Sequence, residues 1–262
     1  MKLHIVSDIH LEFYKDVNTL NDLMGTYPSL NKNVDTSEYG LILAGDIGYP
    51  TCSNYQNFVK DCCSKYRFVI IICGNHEYYN SSIEYINEYL ESFSKDIDNL
   101  HFLNENKVII DDYVFLGCTF WTFVDKYSKQ TVKCNMNDYN MIKYKDKFLT
   151  VDDTNEIHEK QNQWLINELK SNDSKKNIVI THHLPTNQLI HEKFVKYGSI
   201  NKAFYSNCDY MFYSDEYSID YWICGHSHEK MDIDINKTRI ILNPLGYKKE
   251  VKKDVSFEEL EI

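Results

Sequence analysis

The sequence predicts an α/β fold with a largely parallel core, and three observations predict it. Strand-like apolar runs alternate along the chain with segments of helical spacing. Several of the runs, such as "GLILAGD" and "RFVIIIC", are apolar on both faces, as strands covered on both sides are. The later part is richer in hairpin patterns and points to a second sheet.

In chain order, "MKLHIVSD" reads as a strand ending at Asp8, and residues 16 to 40 are mixed, with "YPSLNKN" as a loop. "GLILAGD" is a continuous apolar strand that ends in Gly45-Asp46. "NYQNFVKDCCSKY" puts Tyr55, Phe58, Val59 and Cys62 on one helix face. "RFVIIICGNH" is a third strand. "SSIEYINEYLESF" is an amphipathic helix, capped by Ser81 or Ser82, with Ile83, Ile86, Leu90 and Phe93 as its stripe. "KVIID" and "YVFLGCTFW" read as strands, and residues 122 to 150 are polar without a clear pattern. "VDDTNEIHEKQNQWLINELKS" is a long helix with Asp or Thr available as cap and Ile157, Gln161, Trp164, Leu165 and Leu169 inward. "KNIVITHH" is a strand ending in two His, residues 205 to 217 read as a short helix, and "YSIDYWICGHSH" is a strand ending in two more His. "KMDIDINKTRIILN" reads as a hairpin across Asn236-Lys237.

With 262 residues the chain fits one large domain or two small ones, and no repeat or linker divides it. A formal net charge of -11 disfavours sequence-blind attraction to nucleic acid, which enters only as a candidate substrate. No apolar stretch reaches the length of about 18 residues that a membrane span needs, so no membrane insertion is expected. The N-terminus turns polar by residue 7, too early for a signal peptide, and the expected location is cytoplasmic. The eight Cys include no C-x-x-C pair, which predicts free thiols, with Cys73 and Cys224 in the core. Nothing in the sequence fixes an oligomeric state.

Polar, titratable residues recur where the strands end. Asp8 and His10 follow the first strand, Asp46 the second, Asn75 and His76 the third, His182 and His183 a later one, and His226 and His228 the last. Ligands of open α/β sheets bind at the carboxyl ends of the strands. On extended backbone, residues i and i+2 share a side, so Asp8 with His10, and His226 with His228, would each aim at one centre. One His at a strand end is ordinarily a satisfied polar residue, whereas five such ends form a constellation. Carboxylate, imidazole and amide donors without thiolate suit borderline to hard divalent metals. Delivered toward one edge as Asp, His, Asp, Asn, His, His and His, seven ligating groups are too many for one tetrahedral ion; with Asp46 shared they suit two ions about 3.5 to 4 Å apart.

In this order "DIH", "GD", "GNHE", "HH" and "GHSH" resemble the five motifs of the calcineurin-like metallophosphoesterases. "GCTFWT", "MNDYNMIKYKDKFLT" and "NPLGY" further resemble a subgroup of small bacterial-type predicted phosphohydrolases. The resemblance implies a single domain over 1–262 with a four-layer α/β/β/α sandwich, two mixed sheets flanked by helices. It also implies two divalent ions, manganese first, with iron, zinc, nickel or magnesium as alternatives. One ion would be held by Asp8, His10, Asp46 and His228, and the other by Asp46, Asn75, His182 and His226. His76 would be no ligand but the catalytic residue meeting phosphate and leaving group. Hydrolysis of a phosphate ester would follow from attack by a hydroxide bridging the metals. Glu77 is expected either to orient His76 or to face water, and His183 to stand behind the ligands or face substrate. Ser227 is expected in a turn, and Asn137 and Asp138 to face substrate or lie in a surface loop.

The chain departs from the protein Ser/Thr phosphatases of that superfamily, which carry Asp and then Arg three and four residues beyond the bridging Asp. Here Tyr49 and Pro50 stand there, so the usual partner of the catalytic His is missing. The chain has only Arg67 and Arg239, neither near a motif, whereas a phosphomonoester dianion is commonly gripped by Arg. A phosphodiesterase is therefore expected ahead of a phosphomonoesterase or protein phosphatase. A non-catalytic interaction scaffold, the competing class, would be expected to have lost ligands or the catalytic His, and every such position is filled.

Overall fold

The structure, a computed structural model, describes residues 1–30, 35–171, 176–251 and 256–262. One sheet has the order β14 (Glu258–Glu261), β1 (Lys2–Val6), β2 (Tyr39–Ala44), β3 (Phe68–Ile72), β5 (Leu100–Phe102). The other has the order β12 (Met231–Ile235), β13 (Thr238–Leu242), β11 (Tyr221–Cys224), β10 (Lys176–Thr181), β7 (Tyr113–Cys118), β6 (Asn106–Ile110). Each has a parallel centre: β1-β2-β3-β5 in the first, β13-β11-β10-β7 in the second. Each is completed by antiparallel strands, β14 in the first and β12 and β6 in the second, so both sheets are mixed.

The alternation of side chains across each strand builds the layers. On β2, Ile42 and Ala44 face an apolar cluster that also holds Ile178 and Ile180 of β10, Phe115 of β7 and Ile223 of β11. That cluster is the seam between the sheets. Leu41 and Leu43 point the other way, toward Tyr55, Phe58 and Cys62 of α2 (Ser53–Lys65) and Ile86 and Leu90 of α3 (Ile83–Lys95). On the far side, Val179 and Trp222 pack with Leu165 and Leu169 of α6 (Val151–Lys170) and with Met211 and Phe212 of α7 (Asp209–Tyr213). Helix, sheet, sheet, helix is the expected four-layer sandwich. Ser82 caps α3 and Thr150 caps α6, the latter in a reciprocal capping box with Asp153.

Regions without a sequence pattern hold short elements. A capping box between Thr19 and Asp22 starts α1 (Leu20–Thr26), and Pro28–Leu30 forms one 3-10 turn; Asn31 to Asn33 of the expected "YPSLNKN" loop lie outside the described residues. Residues 122 to 150 hold α4 (Lys129–Asn135), α5 (Asp138–Met141), β8 (Ile142–Tyr144) and β9 (Lys147–Phe148), the two strands joining β4 (Ser81–Ser82) in a small third sheet. All eight cysteines are free thiols, and Cys73 and Cys224 are buried. Among the described residues no helix is long and apolar enough to cross a membrane.

The two sheets meet beside the site. After β1, Ser7 bridges in parallel to Pro244 just beyond β13, and Asn243 Nδ2 donates to Ile5 O at 2.8 Å. This seam brings the carboxyl ends of β1, β2 and β3 against those of β10 and β11.

Candidate metal centre

All five strand ends named by the sequence converge, but not on extended backbone. Asp8 (φ 53), His10 (φ 55), Asp46 (φ 55), His226 (φ 67) and His228 (φ 52) all sit in the left-handed region. The i, i+2 argument is thus corrected: the side chains are aimed by left-handed turns, a conformation non-glycine residues adopt where the surroundings enforce it. Asn75 is right-handed helical, and His76–Tyr78 is a single 3-10 turn rather than extended chain. Two motif glycines have a steric reason. A Cβ on Gly74 would lie 2.2 Å from Asp46 Oδ1, and one on Gly225 would lie 2.7 Å from Asp8 Oδ2.

Asp8, His10 and His228 bring ligand atoms to within 4.8 Å of one another, and so do Asp46, His182 and His226. His10 Nε2 is 3.1 Å from His228 Nε2, which is 3.3 Å from Asp8 Oδ1. Asp46 Oδ2 stands between the groups, 3.9 Å from His10 Nε2 and 3.3 Å from His182 Nε2. Among the described residues, Asn75 Oδ1, His182 Nε2 and His226 Nε2 are buried without a hydrogen-bond partner. Three orphaned polar atoms around one carboxylate are costly unless something fills the space between them. Their donor chemistry fits a divalent cation.

Several of the ligand candidates are held from behind. His182 Nδ1 is 2.9 Å from the Ala44 carbonyl oxygen, which leaves Nε2 to the centre. Asp138 accepts from Asn75 Nδ2 at 2.8 Å and from Tyr79 OH at 2.7 Å, turning Asn75 Oδ1 inward. Asp138 therefore stands behind the site rather than facing substrate, while its exposed neighbour Asn137 lines the cavity. Glu250 Oε2 lies 2.7 Å from His228 Nδ1. His183 is buried behind His182 and His226, its Nδ1 3.2 Å from Thr119 O. Ser227 occupies the bend between His226 and His228, as expected, and its N–H donates to Gly225 O at 2.8 Å. Its Oγ is buried and, among the described residues, unpartnered.

Glu77 does neither of the two things expected of it. It is 1% exposed and accepts backbone N–H bonds from Gly74 (2.7 Å), Asp46 (2.9 Å) and Ile47 (2.7 Å), tying the loop after β2 to the loop after β3. Burial pushes its carboxyl up to about 8, with Asp46 adding to the rise, while His182 and these donors favour the ionised form. The residue that holds His76 is Glu12, which the sequence reading missed. Glu12 Oε1 lies 2.9 Å from His76 Nδ1 and 3.1 Å from His10 Nδ1. It supplies the carboxylate that Tyr49 and Pro50 do not. The available signal was its place two residues beyond His10, in "DIHLE". Tyr247 was missed as well: its OH is 3.3 Å from His76 Nε2, and its ring centroid is 4.5 Å from that of His10.

Burial works against charge at Asp46, but His182, His76 and His10 outweigh it and hold the carboxyl well below its ordinary value. Burial likewise opposes protonation of His182, yet Asp46 raises it to about 9. Burial and the neighbouring His183 and His182 hold His226 well below its ordinary value, in the neutral form that can ligate. His76 lines a cavity of about 240 Å³ together with Asp46, Asn75, His226, His228 and Tyr247. Residues 122 to 150 and 185 to 205 contribute Met136 and Phe194 to its walls, while Tyr247 and Glu250 come from beyond β13.

A family model described as calcineurin-like phosphoesterase matches residues 1–230. The uncharacterized protein L509 of Acanthamoeba polyphaga mimivirus is 28% identical over 263 residues, covering 95% of this chain and 92% of that protein. The crystal structure of phosphopantetheinyl hydrolase (PptH) from Mycobacterium tuberculosis superposes with a TM-score of 0.74 at 13% identity, covering 95% of this chain and 90% of that one. At that identity the likeness speaks to fold alone.

Proposed function

This chain belongs to the calcineurin-like phosphoesterase family, and from that premise we propose that it is a dinuclear metal-dependent phosphodiesterase. The observation that carries the reading is the set of orphaned atoms, Asn75 Oδ1, His182 Nε2 and His226 Nε2, grouped with the Asp46 carboxylate. Asp8, His10, Asp46 and His228 would hold one ion, and Asp46, Asn75, His182 and His226 the other. Manganese is the first candidate, followed by iron, zinc, nickel and magnesium. When bound, such a pair supplies Lewis-acid polarisation of the phosphoryl group and a lowered pKa for the attacking water.

The chain's own residues do the rest. Asp46 would offer its one carboxylate to both ions, its Oδ2 lying 3.9 Å from His10 Nε2 and 3.3 Å from His182 Nε2. Glu12 holds His76 Nδ1, so Nε2 is the nitrogen that faces the cavity and can pass a proton to the departing oxygen. Tyr247 OH, 3.3 Å from that nitrogen, stands where such an oxygen could accept. Both guanidinium groups are committed elsewhere: Arg67 grips Asp111 through two bonds of 2.9 Å, and Arg239 grips Asp232 at 2.8 and 2.7 Å. With no guanidinium for a second phosphoryl charge, and with Glu250 on the cavity wall, a monoanionic diester suits the site better than a monoester dianion. The test is kcat/KM of metal-loaded protein on p-nitrophenyl phosphate and on its bis ester. Preference for the bis ester is expected, and a clear preference for the monoester would overturn the diester reading.

A further inference from the structure

A second cavity, of about 310 Å³, adjoins the one at the metal centre, and the two share Asn135, Met136, Phe194, Phe204 and Ser227 as walls. Its remaining walls are mostly apolar: Ile190, Tyr197 and Ile200. Among the described residues no lysine or arginine lines either cavity. Lys193, next to Phe194 in sequence, is paired with Glu229. The wall is pinned in place. Asn201, 8% exposed, donates from Nδ2 to Phe194 O at 2.9 Å, and Leu184 bridges to Tyr205. Phe204 packs its ring 4.5 Å from that of His226, which joins this wall to the ligand cluster. Small-molecule sites are commonly concave, apolar and of roughly 300 to 1,000 Å³, with a few polar groups that fix orientation. Ser227 Oγ, buried and among the described residues unpartnered, is such a group where the two cavities meet.

We infer that this chamber is the subsite for one ester arm of the substrate, an uncharged and largely apolar alcohol that stays on phosphorus during hydrolysis. The inference rests on the phosphodiesterase reading and adds the class of diester. The arm is the retained one because the chamber opens beside His226 and Ser227, while His76, the proton donor, lines only the smaller cavity. An arm carrying further phosphates or a carboxylate would lose its hydration against isoleucine, phenylalanine and methionine with no cation to meet it. Nucleic-acid strands and dinucleoside polyphosphates are therefore the wrong class, and a compact neutral arm that buries apolar area is the right one.

The experiment holds the leaving group constant. Methyl, benzyl and 4-carboxybenzyl p-nitrophenyl phosphate are compared on metal-loaded protein by release of p-nitrophenolate; all three are alkyl esters, so the chemistry at phosphorus is matched. The benzyl ester is expected to exceed the methyl ester in kcat/KM by about 10- to 200-fold, the range that small apolar increments in a pocket give. The 4-carboxybenzyl ester is expected to fall below the benzyl ester. The benzyl-to-methyl ratio should drop at least about fivefold in both Ile200→Ala and Tyr197→Ala, which line the chamber but not the metal cavity. A ratio near one, a ratio unchanged in both variants, or a preference for the charged arm would overturn the subsite while leaving the phosphodiesterase reading standing. Metal-dependent hydrolysis of none of the three would sink that reading and the subsite with it.

Discussion

Glu12 shows how one side chain can decide what two others do. Its Oε1 sits 3.1 Å from His10 Nδ1 and 2.9 Å from His76 Nδ1, so one carboxylate orients a candidate ligand and the candidate acid together. Removing such a partner typically costs about 10- to 100-fold in activity or metal affinity. Glu12→Gln should lower kcat on an alkyl diester by that order, and an unchanged kcat would show that the fork is idle. His76→Asn should keep both metals and lose roughly 10²- to 10⁴-fold in kcat, because the loss is one of acid catalysis. The loss should be smaller when p-nitrophenolate leaves than when an alkoxide leaves. An equal loss on both substrates would point to charge stabilisation instead, and loss of a metal would reassign His76 as a ligand. Asp46→Asn should weaken both ions together, since its Oδ2 lies between the two groups. Elemental analysis showing two tightly held ions in that variant would contradict the shared role. At this scale the candidate ligands were legible because Asp, Asn and His at five strand ends form an unusual pattern. Glu12, Glu250 and Tyr247 were not, because single acids and tyrosines are common on any surface and only the folded chain shows what they touch.

At the scale of elements, the loops after β2 and β3 are held by one buried acid. Glu77 accepts three strong backbone bonds, from Asp46, Ile47 and Gly74. Glu77→Ala would leave those donors buried and unsatisfied, at about 1 to 3 kcal/mol for each such group. A total loss of about 3 kcal/mol or more is expected in urea unfolding, and a loss under about 1 kcal/mol would mean the loops are held by other contacts. The strands and the longer helices were legible from their periodicity, as in the stripe Ile83, Ile86 and Leu90 of α3. The left-handed turns at Asp8, His10, Asp46, His226 and His228 were not, since a backbone forced into that region by its surroundings leaves no local signature. Nor were α4 and α5, which are about two turns or less and carry too few residues for a period to show.

At the scale of the molecule, neither sheet alone completes the site. The first contributes Asp8, His10, Asp46, Asn75 and His76, and the second His182, His226 and His228; the seam from Ser7 to Pro244 brings them together. The α/β class and the second sheet were legible in the alternation of elements and in the late hairpin. The return of β14 to pair with β1 was not, because antiparallel closure at a sheet edge depends on tertiary contact rather than on local pattern. The most direct measurement of a shared dinuclear centre is the turnover of bis(p-nitrophenyl) phosphate by metal-stripped protein as Mn²⁺ is added back, plotted against equivalents bound per chain. Activity should be negligible without metal and should rise to a plateau at two equivalents. No metal-dependent turnover, or a plateau at one equivalent, would contradict it.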